Sequence, residues 1–142
     1  MKIKIVTIGK IKEKIYRERV QEYLKWISKY SQIQIITLKE NNQEKLNKNL
    51  LKYLNSDSFT ICLSEEGKQK NSIQFSRFLH KQNREIIFII GGPKGHPKFV
   101  SNLSNKTLSL SKMTFLHEMS ILILCEQIFR GISINNNKNY HK

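Results

Sequence analysis

Residues 90–97, Ile-Gly-Gly-Pro-Lys-Gly-His-Pro (IGGPKGHP), hold both prolines and three of the six glycines of this 142-residue chain. The stretch overlaps at Ile90 with the apolar run EIIFII at residues 85–90, so the glycines and prolines directly follow that run. A continuously apolar run of this length is typical of a central parallel strand that is covered on both faces. Glycine permits unusual backbone dihedrals and proline fixes its own φ, so the cluster predicts one tight turn between this strand and a following helix.

Strand and helix patterns alternate on both sides of this turn. Short apolar runs bounded by turn residues predict five strands, at 1–9, 33–38, 59–64, 85–90 and 107–111, the third closing at an acidic turn over 65–67. Apolar residues three and four apart predict helices over 11–27, 46–54 and 72–79, the last with Ser72 as N-cap, then a short helix after Pro97 and a long one over 115–132. The order indicates an α/β fold, with a mostly parallel sheet between helices on both faces, in a single domain over 1–142.

The carboxyl edge of such a sheet is where we expect a ligand site, because open α/β sheets bind ligands outside the ends of their strands. The turn at 91–95 and the segment 112–115 both follow predicted strands and therefore lie at this edge. Glu126, Arg130 and the terminal Tyr140-His141 are expected to join them in one group. Each also has an ordinary interpretation, because Glu126 and Arg130 have the spacing of a helix ion pair and a chain terminus often frays.

The last predicted helix is apolar almost all the way round between Met119 and Cys125 (MSILILC). A surface helix keeps a polar face, so this helix must be covered on two sides. Either it lies in the centre of the protomer, or a second copy of the chain supplies the second cover.

The chain is strongly basic, with 25 Lys and Arg against 11 Asp and Glu and a formal net charge of +14. This charge favours a polyanionic partner such as nucleic acid. The lysines are also spread along the chain without a dense run, which indicates a compositional bias. No membrane-spanning segment or signal peptide is evident, so we expect a soluble protein in the cytoplasm.

Several kinds of chemistry have no motif in this sequence. Cys62 and Cys125 lie in apolar segments without metal-ligand spacing, so we expect buried reduced thiols and neither a disulfide nor a metal site. The first strand is followed by GKIKEK, which lacks the glycines of a dinucleotide-binding turn, and GGPKG lacks the Lys-Ser/Thr pair of a P-loop. No G-x-S-x-G nucleophile elbow occurs, so hydrolase and metalloenzyme functions lose their support.

Four motifs in one order resemble a known family. They are the IGG turn, LSLSKMTFLH at 108–117, EQIFR at 126–130 and the terminal YHK at 140–142. Together with the start MKIKIVTIGKIKEK and the segment CLSEEGK, they resemble the ribosomal RNA large subunit methyltransferase H family, a minimal member of the SPOUT methyltransferases. The resemblance covers nearly the whole chain.

The resemblance implies an S-adenosylmethionine-dependent enzyme that methylates N3 of a pseudouridine in 23S ribosomal RNA. It further implies a homodimer, a trefoil knot in the carboxyl-terminal half, and action on the assembled ribosome. Arg130 is then the candidate for holding an RNA phosphate or base carbonyl, with Tyr140 and His141 orienting the pseudouridine and His141 removing the proton. The implied cofactor-binding residues are Leu63, Gly91, Gly92, Leu110, Ser111, Lys112, Met113, Thr114 and Phe115, where Gly91 and Gly92 are expected to let the backbone approach the cofactor.

Three positions depart from the family pattern. Leu116 stands in place of a proline, Ile121 in place of an arginine and Gly131 in place of an alanine. The missing arginine charge and the net charge of +14 leave one alternative function, a non-catalytic RNA-binding or ribosome-associated factor that retains the fold. A nucleotide-binding regulatory domain is a third interpretation, but no phosphate-binding motif supports it.

Overall fold

The computed structural model describes all 142 residues, as five strands and five helices that alternate along the chain. In order they are β1 (Lys2–Ile8), α1 (Lys14–Ile27), β2 (Gln32–Leu38), α2 (Gln43–Leu54), β3 (Phe59–Gln69), α3 (Ser72–Lys81), β4 (Ile86–Ile90), α4 (Lys98–Leu103), β5 (Lys106–Ser109) and α5 (His117–Asn135). No helix is long and apolar enough to cross a membrane.

All five strands are parallel and form one sheet in the order β2-β1-β4-β3-β5. The apolar run that precedes the Gly-Pro turn is the middle strand, β4, and every one of its residues is buried. Its central residue, Phe88, is in register with Ile5 of β1 on one side and Ile61 of β3 on the other. The prediction of a central strand covered on both faces is confirmed, and the sheet is parallel throughout.

Helices cover both faces of the sheet, as predicted. One apolar core combines side chains of β1, β3 and β4 with those of α1, α3 and α5. A smaller core on the other face combines the alternate residues of the same strands with α2 and α4. Because residues of a strand point alternately to the two faces, each buried strand contributes to both cores.

The apolar helix α5 lies in the centre of one layer, between α1 and α3. Ile121, Leu124, Cys125 and Ile128 are fully buried there. The central position within the protomer accounts for the apolar surface of α5, so its composition does not require a second copy. The isoleucine that replaces the family's arginine occupies a core position, where an uncompensated charge would be costly.

Two predicted boundaries are wrong, namely the end of β3 and the N-cap residue of α3. β3 does not close at residues 65–67 but continues to Gln69, with a register shift between Leu63 and Lys68 along β5. A Cβ on Gly67 would lie 2.6 Å from the backbone of Thr107, so the glycine lets the two strands approach. The N-cap of α3 is Asn71 rather than Ser72, and its side chain accepts from the backbone N of Gln74 at 2.8 Å.

The remaining differences are at helix and strand ends. α1 begins three residues after Ile11, and α5 begins at His117 rather than at residue 115. β5 ends at Ser109, so the following residues form a loop. Helical spacing places Ile15 and Ile73 on the buried faces of α1 and α3. Both side chains are exposed, because both residues lie in the first turn of their helices.

Candidate active site

A cleft of about 1030 Å³ lies at the carboxyl edge of the sheet, where β1, β4 and β5 end. Eight of the nine residues that the resemblance implies for the cofactor line this cleft: Leu63, Gly91, Gly92, Leu110, Ser111, Met113, Thr114 and Phe115. The ninth, Lys112, is exposed and does not line it. The volume lies just above the range usual for small-molecule sites, ~300–1,000 Å³.

The Gly-Pro turn forms one wall of the cleft and is closed by its own hydrogen bonds. Gly92 N donates to Gly95 O at 3.1 Å, and Gly95 N donates to Gly92 O at 2.8 Å. Gly95 has φ +81°, a conformation that favours glycine. A Cβ on Gly91 would lie 2.6 Å from the carbonyl carbon of Gly95, and one on Gly92 would lie 2.6 Å from Ile8 O. The glycines at 91 and 92 are therefore required by the packing of the turn itself.

His96 ties the turn to β3. Its Nδ1 lies 3.0 Å from the carbonyl oxygen of Pro97, which can only accept, so Nδ1 carries the hydrogen. Its Nε2 then accepts from the thiol of Cys62, whose Sγ is 3.2 Å away. Burial raises the pKa of Cys62 to about 12, which keeps the thiol protonated. The prediction of two buried, unpaired thiols is confirmed for Cys62 and Cys125.

The loop between β5 and α5 also lines the cleft. Ser109 Oγ donates to the carbonyl oxygen of Ser111 at 2.7 Å, and Ser111 Oγ accepts from Met113 N at 3.0 Å. These two hydroxyl contacts fold the loop into a compact turn. Leu110 and Phe115 add apolar surface to the wall.

The first residues of α5 also reach the cleft. His117 lines it, and the Nε2 atom of this side chain is buried without a hydrogen-bond partner. Burial lowers the pKa of His117, although Glu118 and Glu40 act in the opposite direction, so the imidazole is neutral at pH 7. A buried polar atom without a partner beside a cleft is explained when a ligand supplies that partner.

Glu118 connects the start of α5 to the loop after β1. Its Oε1 accepts from the backbone N of Lys12, and from that of Glu13 at 3.1 Å. Glu13 is the N-cap of α1 and makes no cap with its own side chain, so Glu118 supplies acceptors for that region. Sequence patterns give no sign of this contact, because the partners are more than 100 residues apart.

A second cluster forms in the middle and carboxyl-terminal half of α5, where the chain terminus folds back. We call Glu126, Arg130, Tyr140 and His141 the tail cluster. Glu126 Oε1 accepts from Arg130 Nη2 at 2.7 Å, from Arg130 Nε at 3.0 Å and from the Tyr140 hydroxyl at 3.1 Å. The Arg130 guanidinium lies 4.8 Å from the centre of the Tyr140 ring. The ion pair expected from the spacing of Glu126 and Arg130 is present, and the terminus is anchored on it.

The contacts of the tail cluster limit what its members can do in this arrangement. Arg130 Nη1 lies 3.1 Å from His141 Nδ1 and can only donate, so the lone pair of Nδ1 faces Arg130. Burial, the hydrogen bond to Tyr23 and the nearby Glu126 raise the pKa of Tyr140 well above its ordinary range. Tyr140 is therefore a hydrogen-bonding group that stays protonated.

The cleft and the tail cluster are separate within one protomer, contrary to the expectation of one group. No member of the tail cluster lines the cleft. Ser120, the last residue of α5 that lines the cleft, is six residues from Glu126 and ten from Arg130, which corresponds to about 9 Å and about 15 Å at a rise of ~1.5 Å per residue. No group of three or more His, Cys, Asp or Glu side chains has an arrangement that could hold a metal ion.

The full length of the chain is similar to methyltransferases. Residues 1–141 match the family described as "Predicted SPOUT methyltransferase". Proteins named ribosomal RNA large subunit methyltransferase H are 38% identical over 154 residues in Kosmotoga olearia and 36% identical over 152 residues in Pseudothermotoga lettingae, covering 99% of both chains in each case. The protein of that name from Bacillus cytotoxicus is 37% identical over 159 residues and covers both chains completely.

Solved structures share the fold at low identity. A probable methylase family protein from Haemophilus influenzae has a TM-score of 0.60 at 10% identity, over 99% of this chain and 70% of that one. TrmJ from Z. mobilis has a TM-score of 0.59 at 8% identity, over 92% of this chain and 70% of that one. The fold, the four motifs and the end-to-end similarity agree, and the chain belongs to the SPOUT methyltransferases, within the ribosomal RNA large subunit methyltransferase H family.

Proposed function

We propose that this protein is an S-adenosylmethionine-dependent methyltransferase that methylates N3 of a pseudouridine in 23S ribosomal RNA. The observation that carries the proposal is the end-to-end similarity to relatives named for methylation of large-subunit ribosomal RNA. The net charge of +14 suits a polyanionic substrate. A chain of this size has little surface for reading sequence, so we infer that it recognises the shape of the assembled ribosome in the cytoplasm.

The cleft fits the proposed cofactor. Leu63, Ile90, Leu110 and Phe115 provide apolar walls, while the backbone of the two loops provides donors and acceptors for a nucleoside. The partnerless Nε2 of His117 offers one more polar contact. When bound, S-adenosylmethionine supplies an activated methyl group on a sulfonium, so the chain needs neither a metal nor a nucleophilic side chain for the transfer.

The chain must then position the ring nitrogen and accept its proton. We assign these roles to the tail cluster, with Arg130 holding an RNA phosphate or base carbonyl and Tyr140 orienting the base through its ring or as a hydrogen-bond acceptor, since its hydroxyl hydrogen is donated to Glu126. His141 is the candidate base, since imidazole is the side chain that exchanges protons near neutral pH. The lone pair of its Nδ1 faces Arg130, so base action at this atom requires Arg130 to turn toward RNA first.

A second protomer can bring the two parts together, because Arg130 is about 15 Å along α5 from Ser120, the last cleft residue of that helix, and no tail-cluster residue lines the cleft. We infer a homodimer in which the tail cluster of one protomer completes the cleft of its partner. Arg130 and His141 are in direct contact, so both come from the same protomer. The trefoil knot that the family implies is part of this proposal.

The proposal is tested by incubating the purified protein with methyl-labelled S-adenosylmethionine and ribosomes that lack the large-subunit pseudouridine methylation. We expect label at N3 of one pseudouridine in 23S RNA. Binding of ribosomes and cofactor without transfer of label would contradict the proposal and favour the non-catalytic RNA-binding factor. The variant His141→Ala is the matched control, because it should fold and bind cofactor but lose turnover.

A further inference from the structure

We infer that a groove at the amino edge of the sheet, opposite the cleft, binds the sugar-phosphate backbone of a second RNA segment. The groove has a volume of about 1010 Å³ and lies where β1, β2 and β4 begin. The inference rests on the proposed function, since it takes RNA as the substrate. It adds a contact that neither the cleft nor the tail cluster provides.

Cations dominate the charge of the groove. Lys2, Lys4, Lys29 and Arg84 line it, and Glu85 is its one carboxylate. Lys29 and Arg84 are exposed and form no ion pair within the chain. A concave surface with this excess of positive charge attracts phosphates and releases their counterions on binding.

The single carboxylate holds two of the cations in place. Glu85 lies 3.3 Å from Lys2 Nζ and 3.4 Å from Lys4 Nζ, and its Oε1 accepts from Ser58 Oγ at 3.0 Å. Only 18% of its side chain is exposed, so this contact is a fixed part of the groove floor. The two ammonium groups therefore stay side by side at the start of β1.

The uncharged lining suits nucleotides rather than an apolar ligand. Amide side chains of Gln32, Gln34, Gln82 and Asn83 offer both donors and acceptors along the walls. Tyr30 lines the same groove and is 47% exposed. An exposed aromatic ring among cations is the combination on which unpaired bases stack.

The groove is too far from the cleft to serve the target nucleotide. β4 connects the two sites directly, because Glu85 lies in the groove, Gly91 lies in the cleft, and the strand Ile86–Ile90 runs between them. This distance is about 20 Å at ~3.3 Å per residue. The phosphates at the groove thus belong to nucleotides remote from the one in the cleft.

The test measures ribosome affinity against monovalent salt at constant Mg²⁺ for the double variant Lys29→Gln, Arg84→Gln. The control is Lys48→Gln, Lys52→Gln, which removes the same charge from exposed positions on α2 that line neither site. Loss of two phosphate contacts should lower the slope of log affinity against log salt by about 1.4–1.8 and weaken binding about tenfold or more at 0.1 M salt. Cofactor affinity should stay near wild type, and the melting temperature should fall by no more than a few degrees, because Arg84→Gln removes the exposed contact of the guanidinium with the Phe59 ring, whose centre is 5.4 Å away.

A separate variant tests the stacking role. Tyr30→Ala should weaken ribosome binding about fivefold or more without changing the salt slope, since stacking involves no counterion release. The inference is overturned if the groove pair behaves like the control pair while the wild-type protein binds and methylates ribosomes. Failure of the wild-type protein to bind ribosomes would instead overturn the proposed function, and this inference with it.

Discussion

Replacing Gly91 with alanine should disable the cleft through a steric conflict within its own wall. The added Cβ would lie 2.6 Å from the carbonyl carbon of Gly95 and 2.9 Å from both its oxygen and the backbone N of His96. Ordinary van der Waals contact begins near 3.4 Å, so the far side of the turn must move by about 0.8 Å. All three atoms belong to the backbone, which cannot yield as a side-chain end could.

The cost follows from the contacts that this movement strains. The two hydrogen bonds between Gly92 and Gly95 contribute about 0.5–1.5 kcal/mol each. Overpacking in a well-packed region costs about 1–3 kcal/mol, so the free energy of unfolding should fall by roughly 2–6 kcal/mol in total. A chain of this size loses about 3 °C of melting temperature per kcal/mol, which predicts a decrease of about 6–18 °C.

The assay combines thermal unfolding with titration of S-adenosylmethionine by calorimetry. Gly91→Ala should bind the cofactor at least about tenfold more weakly, because the displaced turn lines the cleft. Gly95→Ala is the matched control: a Cβ there meets nothing within 4 Å, and only the positive φ is strained, at about 1–2 kcal/mol. The reasoning would be refuted if Gly91→Ala melted within about 2 °C of wild type and bound the cofactor equally well.

Three further predictions concern charge and protonation. Glu126→Gln removes the anionic acceptor that Arg130 and Tyr140 share in the tail cluster. Single-turnover methyl transfer should therefore slow by about tenfold or more, while the cofactor Kd measured by calorimetry stays unchanged. An unchanged rate would contradict the role assigned to the tail cluster. Burial raises the pKa of Cys62 and Cys125 to about 12. A thiol reagent at pH 8 should therefore label neither cysteine in the folded protein and both after unfolding. Rapid labelling of the folded protein would contradict the burial of these thiols. Burial alone would raise the pKa of Glu85, but the Ser58 hydroxyl and the Lys2 and Lys4 ammonium groups lower this pKa below its ordinary 4.5. The ionised Glu85 therefore stabilises the folded protein above pH 4.5, and this contribution is lost as the pH falls through the folded-state pKa. Glu85→Gln should therefore lower the melting temperature more at pH 7 than at pH 2, and equal shifts at both would rule this out.

The fold was largely predictable because it depends on local periodicity and on one uninterrupted apolar strand. β4 could be placed in the middle of the sheet because both of its faces need cover, and the cleft follows from the rule for carboxyl edges. The extension of β3 was not predictable, since it depends on the close approach of Gly67 to β5 across 40 residues of sequence. Glu118 and His96 were missed for the same reason, because their partners are remote in sequence.

The separation of the tail cluster from the cleft was available from helix length alone. Thirteen residues between His117 and Arg130 on a continuous helix already place them about 20 Å apart. What the sequence could not supply is the fold-back of the terminus, where Tyr140 and His141 return to Glu126 and Arg130. The returning terminus also contacts α1, where the Tyr140 hydroxyl lies 3.2 Å from the Tyr23 hydroxyl.

A catalytic site shared between protomers is the central claim, and heterodimers purified through two different affinity tags test it most directly. One heterodimer pairs a Gly91→Ala protomer with a His141→Ala protomer, and the other pairs a wild-type protomer with one that carries both substitutions. At a cofactor concentration near the wild-type Kd, a shared site predicts about half of the wild-type methyl transfer in the first heterodimer and at most about a tenth in the second, because only the first retains one intact cleft facing an intact tail cluster. The reverse pattern, at most about a tenth in the first and half in the second, would contradict the account and place the whole site within one protomer.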